Sequence, residues 1–138
     1  MVRSAWILVL AVACGGGDGG GQDSDELVWV EGSETDKGWA CLDDIDEVVR
    51  VEIDTCLSSS CTTDIEGSCT VEMGPRTITV HSTFTWREQQ GGDCTDDCVE
   101  AFTTCDLPEP LFHGAYTLEY AGTSKTEHVP GDGWCGSR

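Results

Sequence analysis

Nine cysteines stand in 138 residues. Three kinds of chemistry are open to them: disulfide bonding, metal ligation and nucleophilic attack. Spacing decides among these. Structural zinc sites draw on C-x2-C pairs. Here the close spacings are Cys56-x4-Cys61, Cys61-x7-Cys69, Cys94-x3-Cys98 and Cys98-x6-Cys105, and no C-x2-C occurs. A thiolate nucleophile would compete with oxidation in so cysteine-rich a chain. Disulfide bonding is therefore expected for Cys41, Cys56, Cys61, Cys69, Cys94, Cys98, Cys105 and Cys135. Spacing alone selects no pairing among them. They do show a loose symmetry: two triplets (56, 61, 69 and 94, 98, 105) flank one long apolar-polar stretch, with Cys41 and Cys135 outside. One cross-tie on each side of a sheet would give that pattern.

Other catalytic signatures are missing. Gly67-Ser68 and Gly136-Ser137 do not complete the G-x-S-x-G of a nucleophile elbow. His81, His113 and His128 are far apart and form no H-E-x-x-H. His81 alternates with threonines and reads as a solvated side chain on a polar face. A carboxylate pair of the glycosidase kind is defined by geometry, and 26 acidic residues make any chosen pair arbitrary. Calcium is the one cofactor the acids admit, since it takes hard oxygen ligands from loops. The candidate ligands are Asp93, Asp96 and Asp97, with a second cluster at Asp43, Asp44, Asp46 and Glu47; neither follows the EF-hand pattern. No other cofactor is expected.

Charge restricts the partners. The formal net charge is −19, which excludes nucleic-acid binding through a basic patch. Anionic head groups would repel such a surface, so a membrane link needs a covalent anchor. Strong like charge favours a soluble monomer. The chain contains no asparagine and so no N-glycosylation sequon.

The N-terminus supplies a covalent anchor. Arg3 precedes the apolar run Ala5 to Ala13, which is too short to span a bilayer but suits the h-region of a secretory signal. Cys14 closes the run Leu10-Ala11-Val12-Ala13-Cys14, and a glycine-rich stretch follows. This segment resembles a bacterial lipoprotein signal peptide, with leucine four residues before the cysteine rather than the commoner three. The resemblance implies cleavage before Cys14 and lipid on its sulfur. It leaves eight cysteines, an even number that a closed disulfide framework requires. Gly15, where aspartate would retain such a protein in the inner membrane, implies passage to the outer membrane. The expected organisation is a signal peptide at 1–13, a lipid-attachment and tether segment at 14–26, and one disulfide-rich domain at 27–138. The tether carries six glycines and four acids after Cys14 and should behave as a flexible coil.

The domain itself reads as all-β. Val49, Val51 and Ile53 alternate with charged residues, the period of a half-buried strand. Ile78, Val80, Ser82, Phe84 and Trp86 share one face of a stretch from Arg76, and Thr77, Thr79, His81, Thr83 and Thr85 share the other. Leu27 to Val30, Cys69 to Met73, and Gly114 to Tyr120 with its return at Lys125 to Val129 read as further strands. Residues 43–49 read as a loop or single helical turn, and Thr95 to Phe102 as either a helical turn or a short strand. Trp39 and Trp134 should take ordinary packing positions beside the outer cysteines. Such a set of short strands suggests a small disulfide-stapled antiparallel sandwich, or alternatively a small β-barrel. The stretches Cys56 to Cys61, Cys94 to Cys98 and Gly114 to Leu118 give the domain a likeness to small, cysteine-rich, uncharacterised lipoproteins of myxobacterial type, which implies no activity.

The expected function is a non-enzymatic structural or binding role in the cell envelope, toward an envelope protein or a glycan. The threonine face is a possible platform for it. A secreted inhibitor or toxin-like module, using a rigid loop such as Leu57 to Ser60, and an exported hydrolase are the alternatives.

Overall fold

A computed structural model describes residues 27–131 and Cys135. The expected signal, Cys14 with its expected lipid, the expected tether and Trp134 lie outside the described residues. Ten strands account for the regular structure: β1 (Val28–Thr35), β2 (Trp39–Asp43), β3 (Val48–Glu52), β4 (Leu57–Ser58), β5 (Thr62–Met73), β6 (Thr77–Gln90), β7 (Cys98–Val99), β8 (Phe102–Asp106), β9 (Gly114–Tyr120) and β10 (Thr123–Val129). They form a five-stranded sheet, a three-stranded sheet β2-β3-β8 and a two-stranded ribbon β4-β7. The sheets stay open, so the barrel alternative falls and the sandwich stands.

β6 organises the larger sheet. One edge pairs with β5 along almost its whole length, from Met73↔Ile78 to Thr62↔Glu88. The other edge is shared: β1 pairs antiparallel with residues 83–90, and β9 pairs parallel with residues 77–79. That parallel stretch corrects the wholly antiparallel expectation. β10 closes the sheet as the hairpin partner of β9.

The two sheets meet through their apolar faces. β6 contributes Ile78, Val80, Phe84 and Trp86, and β9 adds Tyr116, Leu118 and Tyr120, all buried. Ala40, Leu42, Val49, Val51 and Cys105 answer from the three-stranded sheet. Gly67 sits opposite Phe84 because the ring lies where a side chain would go: a Cβ there would meet Phe84 at 2.7 Å and Thr103 at 2.9 Å.

All eight cysteines of the described chain are paired: Cys41–Cys135, Cys56–Cys98, Cys61–Cys94 and Cys69–Cys105, with Cα separations of 4.8 to 5.8 Å. Each member of the first triplet bonds to one member of the second. Cys69–Cys105 ties β5 to β8 and so joins the two sheets. The nested pair Cys56–Cys98 and Cys61–Cys94 clamps the β4-β7 ribbon, which resolves the ambiguous segment after Thr95 as a short strand.

Phe84→Ala should cost about 3–5 kcal/mol of folding stability, because it empties the interface between the sheets. Thr85→Ala, on the exposed face of the same strand, should stay within about 0.5 kcal/mol. Denaturant melts of the two variants check the difference; equal losses would mean that β6 does not carry the core as described.

Candidate functional site

The shared edge of β6 creates a gap. β1 runs down that edge and stops with Thr35 opposite Thr83. β9 runs up it and stops soon after Glu119 opposite Thr79. The ends of the two strands point at each other across β6 residues 80–82. β1 then turns away through Asp36, Lys37 and Gly38 into β2. Asp36 has φ +48 and Gly38 φ +101. Aspartate tolerates the left-handed region better than most residues. A Cβ on Gly38 would collide with the Glu52 carbonyl, so only glycine fits there.

The turn is pinned to β6 and β9 by a chain of hydrogen bonds. The Asp36 amide donates to the Ser82 carbonyl at 3.0 Å, and the Ser82 amide donates to Asp36 Oδ1 at 2.7 Å. His81 Nδ1 lies 3.0 Å from Asp36 Oδ2. The Tyr120 hydroxyl donates to the Lys37 carbonyl at 2.9 Å. That uses its one proton, so the Ser82 hydroxyl, 2.8 Å away, donates to the Tyr120 oxygen. Ser82 is the buried polar side chain of the core, and this chain satisfies it, as burial demands.

These bonds set the electrostatics. The His81 hydrogen bond, helped by the Ser82 amide, holds the Asp36 carboxyl below its usual range. The same bond to Asp36, with that charge and the more distant Glu72, raises the imidazole's pKa. Burial raises the Tyr120 phenol. His81 therefore keeps Nδ1 engaged and leaves Nε2 free on an exposed ring.

Over the gap lies an open cleft of about 490 Å3, lined by Asp36, Thr79, His81, Glu119 and the β9-β10 turn through Ser124. Thr79 Oγ1 donates to Glu119 Oε2 at 3.2 Å. A smaller depression of about 220 Å3 adjoins it, sharing Asp36 and His81 and bordered by Thr35, Ser68, Thr70 and Thr83. The arrangement offers hydroxyls, carboxylates and one imidazole to a ligand lying on the sheet face.

The other sequence candidates fall elsewhere. Asp93, Asp96 and Asp97 lie on the exposed segment between β6 and β7. Asp97 is occupied by the Ser59 and Thr95 hydroxyls, which lower its pKa. Among the described residues no group of three His, Cys, Asp or Glu side chains is placed to hold a metal ion, so the calcium clusters do not converge. The second cluster serves backbone: Asp43 Oδ1 accepts from the Ile45 and Asp46 amides within the β2-β3 turn, Asp44 accepts from Gly131 and Glu47 from Leu111. Trp39 borders a shallow depression with Leu118 and Tyr120, an ordinary packing position. His81 is exposed on the polar face, as its alternation with threonines indicated, and Asp36, 45 positions away, also holds it. The alternation around His81 placed it on the outer face, but nothing in the sequence marked Asp36 as its partner.

No family model, curated protein or solved structure matches the chain. Fold and site together define a disulfide-stapled β-sandwich with an open polar cleft where two strands end on a third.

The His81–Asp36 pair predicts a pH profile. A raised imidazole pKa stabilises the fold fully below the ordinary histidine value and loses that contribution as pH rises through the folded value. A lowered Asp36 pKa contributes above the ordinary aspartate value and is lost as pH falls through the folded one. The pair is thus strongest between about pH 4 and 6.5. NMR titration of His81 should give a midpoint above the ordinary value, and Asp36→Asn should bring it down; a midpoint unmoved by that change contradicts the pairing.

Proposed function

We propose that this chain is an exported binding module of the cell envelope, tethered through lipid on Cys14, that presents the cleft on the β6 edge to a ligand and carries out no chemistry on it. The observation that carries this reading is the complete pairing of the eight cysteines in the described residues. Four bridges persist only in an oxidising compartment. The ninth cysteine is then left over, and it is the one that the lipoprotein resemblance assigns to lipid.

A binding role without catalysis is supported by the state of Asp36, one of the two acids that line the cleft. A glycosidase acid needs a raised pKa and a free proton to give. Asp36 is shifted the opposite way, and both its oxygens are taken by His81 and Ser82. The inhibitor alternative loses support from Leu57, which is buried in the core. The segment Leu57 to Ser60 therefore folds against the body of the protein, with only its serines outward.

Intact-mass measurement of protein extracted from native membranes tests the proposal. An acylated chain beginning at Cys14, gaining about 8 Da on reduction of four bridges, is the expected result. An unlipidated chain, or one with free thiols among the eight, overturns the tethered and exported reading.

A further inference from the structure

The cleft and its neighbouring depression share Asp36 and His81, so they are two parts of one groove across the outer face of the five-stranded sheet. Pairing registers order its side chains in rows. Ser124, Glu119, Thr79 and Glu72 cross β10, β9, β6 and β5. The next row along β6 holds His81 and Thr70, and the one after it Thr35, Thr83 and Ser68. Strand geometry spaces neighbours in a row about 4.8 Å apart and the rows about 6.6 Å apart. Hydrogen-bonding groups thus recur both along and across the groove, which suits a ligand that carries many hydroxyls in sequence. The large apolar residues at the groove, Val80 and Tyr120, are buried beneath it, so no exposed aromatic or long aliphatic side chain stands on its floor.

Charge narrows the ligand further. Glu119 and Glu72 have no basic side chain within ion-pair distance among the described residues, and Asp36 has only His81. An anionic sugar would meet these carboxylates and the whole protein's charge of −19. An ammonium group would be drawn to them. A basic peptide is the rival occupant. Extended peptides, however, bind sheets through the backbone of a free edge, whereas this groove is floored by side chains on a sheet face.

We propose that the groove takes a carbohydrate chain bearing free amino groups, with Glu119 receiving an ammonium and Thr79, Ser124 and the His81 Nε2 receiving ring hydroxyls. This rests on the binding-module reading and specifies its ligand.

Calorimetry on the full-length purified protein tests it with four probes: a glucosamine hexamer, its N-acetylated counterpart, an oligogalacturonate and a hexalysine peptide. The glucosamine hexamer should bind about tenfold more tightly than the acetylated one, and the oligogalacturonate should not bind. Glu119→Gln should weaken glucosamine binding about tenfold and Ser124→Ala about threefold. Thr104→Ala, on the outer face of the other sheet, should leave it unchanged and serves as the folding control. Equal binding of hexalysine, binding of the oligogalacturonate, or indifference to Glu119→Gln would overturn the proposal. If no probe binds but an envelope partner is captured and then lost with Glu119→Gln, the carbohydrate class falls and the binding module stands. If Glu119→Gln leaves a captured partner bound, the assignment of binding to this cleft falls as well.

Discussion

The pairing of β6 on both edges, with its alternate side chains driven into the core, is the constraint on which the rest of the structure depends. Fourteen residues in one strand give β5 a full-length partner. They also give β1 and β9 two halves of the opposite edge. The buried face carries Ile78, Val80, Phe84 and Trp86 against the three-stranded sheet. The outer face carries threonines and His81 toward solvent. A one-residue slip in register would exchange the two faces, so packing of the core and composition of the groove are fixed by the same alternation.

The bridges complete what a modest core leaves unfinished. Each contributes about 2–4 kcal/mol, largely by restricting the unfolded chain, and their placement is selective. Cys69–Cys105 fastens β5 to β8 where the two sheets lie back to back. Cys56–Cys98 and Cys61–Cys94 hold a two-stranded ribbon too short to persist alone. Cys41–Cys135 fastens Cys135 to β2. The acidic turn between β2 and β3 works in the same direction: Asp43 accepts amides within the turn, and Asp44 and Glu47 accept backbone amides from distant segments.

The cleft is a by-product of the shared edge. Two strands that approach each other along one side of β6 must both stop. The backbone then needs a tight exit, supplied by Asp36 and Gly38 in the left-handed region. The freed polar groups need partners, supplied by Ser82, Tyr120 and His81. A rigid, hydrogen-bonded rim results, with exposed hydroxyls on either side. Preorganisation of this kind lowers the ordering cost of binding for any ligand that the rim meets.

How much of this was legible in the sequence follows from the range of each interaction. Alternation over Thr77 to Trp86 and over Gly114 to Tyr120 revealed the strands and their buried faces, because side-chain direction in a strand is a local property with period two. The even count of cysteines after Cys14 pointed to a closed framework, because parity needs no coordinates. The pairing of those cysteines, the parallel contact of β9 with β6, and the gap between β1 and β9 were hidden, since each depends on which distant strands become neighbours. Asp36 illustrates the limit. Its residue type and its place before Lys37-Gly38 announce a turn and nothing more. Only the tertiary structure, by ending β1 beside His81, turned that carboxylate into the anchor of the imidazole and a wall of the groove.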